Sequence, residues 1–123
     1  MALEDYALLT LRVIVGLIFL VHGFPKLTKS SKVMLFNNKQ FTLGLGFFET
    51  FSGLFMLFGL LTQVAALILG LIMMGAIYNK IVKWNIPFTA YDKLGWEFDL
   101  ILLASNVVLF LLGAGMFAID ALI

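Results

Sequence analysis

The feature that most constrains this fold is a series of long apolar stretches separated by short polar connections. Residues 7–24 are apolar except for Thr10, Arg12 and His22, and residues 64–81 stay apolar until their last turn. A helix needs about 20 such residues to cross the hydrocarbon core of a bilayer. The sequence therefore predicts an integral membrane protein whose helices lie in lipid.

Four membrane spans are expected, at about residues 7–24, 43–61, 64–81 and 96–119, with polar loops at residues 25–42 and 82–95. The connection between the second and third spans is so short that these helices have to be antiparallel neighbours. The predicted fold is all-α, a single transmembrane domain over residues 1–123 that forms an antiparallel up-down four-helix bundle. The acidic start of the chain differs from the basic start of a signal peptide, so the first span is expected to be retained.

Composition excludes several classes of function. Charged residues make up 12% of the chain, against about 25% in a soluble protein, and a net charge of +1 provides no basic face for a nucleic acid. The chain has no cysteine, which excludes disulfides, thiolate metal sites and dithiol redox chemistry. No covalent cofactor is expected. An electron-transfer cofactor is not expected either, because a single histidine cannot supply bis-histidine haem ligation and the sequence has no glycine-rich nucleotide loop.

Charged side chains within the apolar stretches indicate where a site could lie. A charge at the bilayer centre costs at least about 2.5–3.5 kcal/mol on insertion scales, so Arg12 and Glu49 need partners or water. Each shares a helix face with glycines, where a neighbouring helix is expected to pack. The residues Asp99, Asn106, Gly113 and Asp120 recur every seven positions and are expected to face inward.

Pro25 is predicted to end the first helix. It has no backbone N–H and disfavours the helical conformation of Phe24, so a helix that passes through His22 is expected to break there. The break would leave backbone carbonyls beside the His22 ring and the Lys26 ammonium. This end of the helix is therefore the predicted centre of a binding site.

The hairpin topology places the two long loops, and the polar residues near them, on one side of the membrane. The predicted catalytic residues there are His22, Glu49 and Glu97, and the predicted ligand-binding residues are Lys26, Asn79, Lys80 and Trp96. At the opposite end, Arg12 and Asp120 are predicted to form a structural ion pair. No metal is predicted, although histidine and glutamate are metal-ligand types. The remaining loop lysines are interpreted as cations that extend to the membrane surface.

A set of ordered motifs resembles the DoxX family of small four-helix membrane proteins over nearly the whole chain. The motifs are Leu11-Arg12, Phe19-Leu20-Val21-His22-Gly23 with Lys26, Gly46-Phe47-Phe48-Glu49, Trp96-Glu97-Phe98, Gly113-Ala114-Gly115 and Ile119-Asp120. Where relatives often carry Gly-Pro-Gly near the end of the last span, this sequence has Gly-Ala-Gly.

The resemblance implies a multi-pass prokaryotic plasma-membrane protein linked to quinone and sulfur metabolism, since the family includes the membrane subunit of thiosulfate:quinone oxidoreductase. A membrane quinone is then the expected non-covalent ligand, with His22 at one carbonyl and Glu49 as a proton carrier. A soluble redox subunit, or a second copy of this chain, is the expected protein partner besides the lipid bilayer.

Two other classes of function stay open from the sequence. A proton-coupled transporter of small molecules also fits four short helices with a buried glutamate. A non-catalytic membrane scaffold, which recruits a soluble redox enzyme through lysine-rich loops, fits the charge distribution. Whether the chain is an enzyme at all is therefore left open at this stage.

The lysines predict the orientation in the membrane. The two long loops and their edges hold Lys26, Lys29, Lys32, Lys39, Lys80, Lys83 and Lys93. The positive-inside rule places these loops in the cytoplasm and both termini outside. Reporter fusions at the C-terminus should accordingly be active only when the reporter functions outside the cytoplasm, and a cytoplasmic C-terminus would contradict this topology.

Overall fold

The computed structural model describes residues 2–29 and 34–122, and in these residues the chain forms a bundle of four antiparallel helices. The helices are α1 (Leu3–Thr28), α2 (Lys39–Phe58), α3 (Thr62–Tyr78) and α4 (Trp96–Leu112); a π-helical turn at Asn79–Lys83 extends α3, and a 3₁₀ turn lies at Ile119–Leu122. This confirms the predicted all-α architecture. Lys32, which contributes to the predicted loop charge, lies outside the described residues.

Three helical segments of the described residues have the length and composition of membrane spans. The segments Leu3–Thr28, Lys39–Phe58 and Thr62–Lys83 are long and apolar enough to cross a bilayer. At 17 residues, α4 is about 26 Å long, slightly less than the hydrocarbon core of about 30 Å. Large apolar side chains such as Leu71 and Leu111 cover the outer surface. The chain is thus a multi-pass membrane protein.

Close contact between glycine faces holds α1 against α2, as predicted. The buried face of α1 includes Gly16 and Gly23, and that of α2 includes Gly46 and Gly53. A Cβ atom placed on Gly46 would lie only 2.6 Å from the Cβ of Lys26, so the two backbones are closer there than any larger residue permits. Small residues of this kind allow helices to pack closely in lipid, where no hydrophobic driving force brings them together.

The first helix does not end at Pro25, contrary to prediction, but continues to Thr28. Pro25 removes one helical hydrogen bond, yet nearby backbone groups are paired. The Lys26 ammonium donates to the His22 carbonyl at 3.0 Å, and the Lys29 N–H donates to the Pro25 carbonyl at 2.7 Å. Because α2 also packs against this last stretch of α1, tertiary contacts preserve a helix that the local sequence disfavours.

The last helix is shorter than the predicted span of residues 96–119. It ends at Leu112 because Gly113 and Gly115 adopt positive φ angles of 80° and 82°, which glycine reaches without steric strain. The chain then turns back across the end of the bundle. Gly113 and Asp120 therefore do not continue the inward-facing stripe of α4, whereas Asp99 and Asn106 are buried as predicted.

Arg12 and Asp120 both anchor this returning segment, but they bind different partners from those predicted. Arg12, only 2% exposed, donates through both terminal nitrogens to backbone carbonyls within residues 114–117, at 2.8 and 2.7 Å. Asp120 accepts hydrogen bonds from the backbone N–H groups of Leu61 and Thr62 at the start of α3. In the described part of the chain, no Arg12–Asp120 ion pair lies within 4 Å. A carboxylate at a helix N-terminus is stabilised by the helix dipole.

The glycine contact between α1 and α2 predicts a stability difference between two neighbouring alanine substitutions. Gly46→Ala should lower the melting temperature in detergent, because its new Cβ would meet the Lys26 side chain and force the helices apart. Gly44→Ala is the matched control, since nothing lies within 4 Å of a Cβ at that position. Alanine has a higher helix propensity than glycine, so the Gly44→Ala control should be as stable as the unmodified protein or slightly more stable. Equal melting temperatures for the two variants would contradict the close contact.

Candidate functional site

A cavity of about 320 Å³ lies at the loop-side end of the bundle, between the α1–α2 pair and the α3–α4 pair. Its volume falls at the lower end of the range of small-molecule sites, about 300–1,000 Å³. Polar side chains reach it from α1, α2, α4 and the π-helical turn that extends α3. The rest of its wall is apolar and aromatic. The polar lining residues are His22, Lys26, Glu49, Asn79, Lys80 and Asp99, and the aromatic ones are Phe19, Phe36, Phe41, Trp84 and Phe98.

Lys26 and Glu49 form an ion pair on the α1–α2 side of the cavity. The Lys26 Nζ donates to both carboxylate oxygens of Glu49, at 3.1 and 3.2 Å. The pair is largely removed from solvent, since the side chains are 16% and 4% exposed. Close approach of the helices at Gly46 allows a lysine from one helix to reach a carboxylate one turn further along the other.

Lys80 and Asp99 form a second ion pair on the α3–α4 side. Lys80 Nζ lies 2.6 Å from Asp99 Oδ2, and the side chains are 13% and 6% exposed. This short distance is typical of a strong contact between an ammonium and a carboxylate. Lys80 belongs to the π-helical turn that follows α3, and such turns are frequent at functional sites.

His22 lies at the cavity wall and is half-buried. Its imidazole packs against the Phe98 ring with a centroid distance of 5.3 Å and an interplanar angle of 54°. In residues 2–29 and 34–122, no side chain or backbone group forms a hydrogen bond with the His22 ring nitrogens. Among the described residues, the ring therefore has no partner for its donor or its acceptor.

The structure brings together most of the predicted site residues, but not all of them. His22, Lys26, Glu49, Asn79 and Lys80 line the cavity, and the Asn79 amide also donates to the Gly75 carbonyl at 2.8 Å. Glu97 and Trp96 are not among the lining residues. The Glu97 carboxylate accepts a hydrogen bond from the Thr89 hydroxyl at 3.1 Å, and the Trp96 ring packs against Phe88 with centroids 4.6 Å apart. Their predicted catalytic and binding roles stay predictions.

Asp99 occupies the place in the cavity that the sequence analysis assigned to Glu97. Positions 97 and 99 point to nearly opposite faces of a helix, so only one of these carboxylates can face the bundle. The periodicity identifies which one, because Asp99, Leu102, Asn106 and Leu109 form the buried face of α4. The seven-residue repeat of Asp99 and Asn106 therefore agrees with the position of Asp99 at the cavity wall.

The loops that connect the helices cover part of the cavity. Trp84, just after the π-helical turn, packs against Phe36 of the first loop with ring centroids 5.4 Å apart. The Lys83 ammonium lies 5.2 Å from the centre of the Phe36 ring, a cation–π contact. The second loop also returns to the start of α4, where the Glu97 N–H donates to the Phe88 carbonyl at 3.1 Å. Aromatic contacts between the loops thus complete the cavity wall on the loop side.

Comparison with known proteins establishes the family. The DoxX family model matches residues 7–84, which include most of α1 and all of α2, α3 and the π-helical turn. This chain belongs to the DoxX family. A Bacillus subtilis (strain 168) relative named "Putative oxidoreductase CatD" is 33% identical over 120 residues, covering 91% of this chain and 83% of that protein. No solved structure matches the chain. Within this DoxX-family chain, the matched region contains every polar lining residue except Asp99.

The first ion pair predicts unequal effects of its two neutral variants. Lys26→Met should destabilise the protein more than Glu49→Gln, by up to about 3 kcal/mol, because it leaves a carboxylate buried without its cation. In Glu49→Gln, Lys26 is more exposed and still donates to the His22 carbonyl. The double variant should recover much of the loss. Unfolding in detergent measures all three, and an equal or opposite order of the single variants would contradict the pairing.

Proposed function

We propose that this DoxX-family protein is a quinone-linked redox subunit whose loop-side cavity binds the head group of a membrane quinone. The observation that carries the proposal is the composition of the cavity: two internally compensated ion pairs, an imidazole without a hydrogen-bond partner among the described residues, and aromatic walls. The oxidoreductase name of the Bacillus subtilis relative supports the same class of chemistry.

The charge balance of the cavity favours an uncharged ligand. Its two lysines are each paired with a carboxylate within 4 Å, so the lining carries no surplus positive charge for an anionic substrate. An anion would have to displace Glu49 or Asp99 from its lysine and leave a buried carboxylate without its partner, which is costly. A quinone head group is uncharged, planar and polar only at its carbonyl oxygens.

The lining residues also suit the shape and polarity of a quinone ring. Phe19, Phe98 and Trp84 provide flat apolar surfaces against which an aromatic ring can stack. His22 on one side of the cavity and Asn79 with Lys80 on the other supply hydrogen-bond donors for carbonyl oxygens. Ligand sites of this type are mostly apolar, with a few polar groups that determine orientation.

Quinone and quinol interconvert by transfer of two electrons and two protons. Glu49 and Asp99 are the carboxylates that line the cavity, so they are the residues of this chain that could exchange those protons with the ring. With no cysteine and a single histidine, the chain offers no ligand set for an iron–sulfur cluster or a bis-histidine haem. Electrons would therefore come from a partner redox subunit, which makes a protein partner part of the proposal.

The two tryptophans of the chain provide a direct test of ligand position. Trp84 lines the cavity, whereas Trp96 is not among the lining residues. Menadione, a quinone without a prenyl tail, should quench Trp84 fluorescence saturably in nanodiscs of the Trp96→Phe variant. The Trp84→Phe variant, which retains Trp96, is the matched control and should show only the weak, non-saturating quenching of a membrane-exposed indole.

Site variants in the Trp96→Phe background sharpen the test. His22→Ala should weaken the saturable quenching, because it removes a polar group that faces the cavity. Glu49→Gln should retain it, because glutamine preserves the volume and most of the hydrogen bonding while it removes the titratable proton. Absence of saturable quenching in the unsubstituted cavity would overturn the assignment of a quinone site, and equal quenching of both tryptophans would place the quinone elsewhere.

A further inference from the structure

A second, smaller cavity of about 190 Å³ opens on the outer surface of the helices, in the region where lipid would lie. Its lining is Leu17, Ile18, Val21 and His22 of α1 with Phe98 of α4, and we call it the α1–α4 groove. Apart from His22, these side chains are apolar. The groove and the larger cavity share His22 and Phe98.

Because His22 and Phe98 line both cavities, the contact between their rings separates the groove from the larger cavity. Their rings are 5.3 Å apart between centroids and are tilted by 54°, so they touch without stacking closely. Neither ring is fully buried, and no described group forms a hydrogen bond with the His22 ring. Among the described residues, therefore, no ring hydrogen bond opposes rotation of His22 or Phe98.

The direction of the groove matches the path of a lipid tail. His22 lies toward the loop-side end of α1, whereas Leu17 lies about 7.5 Å further along the helix at 1.5 Å per residue, near the middle of Leu3–Thr28. The groove therefore runs from the polar cavity toward the bilayer centre. An amphipathic ligand whose polar end occupies the cavity would have its apolar end in this groove.

We infer that the α1–α4 groove holds the polyprenyl tail of the quinone, with His22 and Phe98 as the gate through which the tail leaves the cavity. This inference rests on the proposed quinone function and adds the class of ligand, a prenylated quinone, and its lateral route from the bilayer. Since the tail is in an apolar surround both in lipid and in the groove, hydrophobic transfer contributes little to its binding. The groove acts by shape, so an obstruction should exclude tailed quinones specifically.

Two obstructing variants and one control test the inference in nanodiscs. Leu17→Trp and Val21→Trp place an indole in the groove at side chains that are already exposed, so neither should disturb the core. Ile14→Trp is the control: it is 51% exposed, close to the 46% of Leu17, and lies one turn away outside the groove. Bound quinone is extracted and measured by chromatography, with either menadione or a menaquinone that carries a polyprenyl tail as the probe.

Both obstructing variants should lose about tenfold in affinity for the tailed menaquinone. Their affinity for menadione should stay unchanged. The Ile14→Trp control should match the unmodified protein for both probes. Unchanged affinity for the tailed quinone would overturn the groove assignment and leave the head-group site intact. Equal losses for both probes would also overturn it, because the groove would then not act on the tail. Failure of the unmodified protein to bind menadione would instead overturn the proposed function itself.

Discussion

The cost of placing charge in a low-dielectric environment is the constraint on which this structure depends. Each lysine that reaches the cavity is paired with a carboxylate from another helical segment, Lys26 with Glu49 and Lys80 with Asp99. One pair joins α1 to α2, and the other joins the end of α3 to α4. Because breaking either pair would leave an uncompensated buried charge, both pairs oppose separation of the helices they connect. The same requirement places both ion pairs around one cavity at the loop-side end.

The two ends of the bundle satisfy their polar groups differently, and this difference determines where a ligand can bind. At the end that holds the termini, the Arg12 guanidinium donates to backbone carbonyls of the returning C-terminal segment, and Asp120 caps the start of α3. Through these contacts, the C-terminal segment covers that end of the bundle. At the loop-side end, the two ion pairs lie on opposite walls and leave a cavity between them.

Family membership and the cavity support different parts of the functional assignment. The DoxX match and the oxidoreductase name of the Bacillus subtilis relative indicate a class of protein. The proposal of an uncharged, planar, tailed ligand comes from the balanced charges, the aromatic walls and the groove that reaches toward the bilayer centre. A proton-coupled transporter would also use buried carboxylates, but the apolar groove that adjoins the cavity at His22 and Phe98 on the outer surface of the helices favours a membrane-soluble ligand.

The sequence by itself determined the class of fold, the antiparallel order of the helices and the glycine faces of α1 and α2, because hydropathy, helical periodicity and short connections are local properties. It also predicted five of the six polar lining residues: His22, Lys26, Glu49, Asn79 and Lys80. Only the tertiary structure decided that α1 continues past Pro25, that Lys80 pairs with Asp99, and that Arg12 binds carbonyls of the C-terminal segment. These outcomes depend on which distant groups meet when helices pack, and a polar side chain in lipid takes the partner that the packing brings within reach.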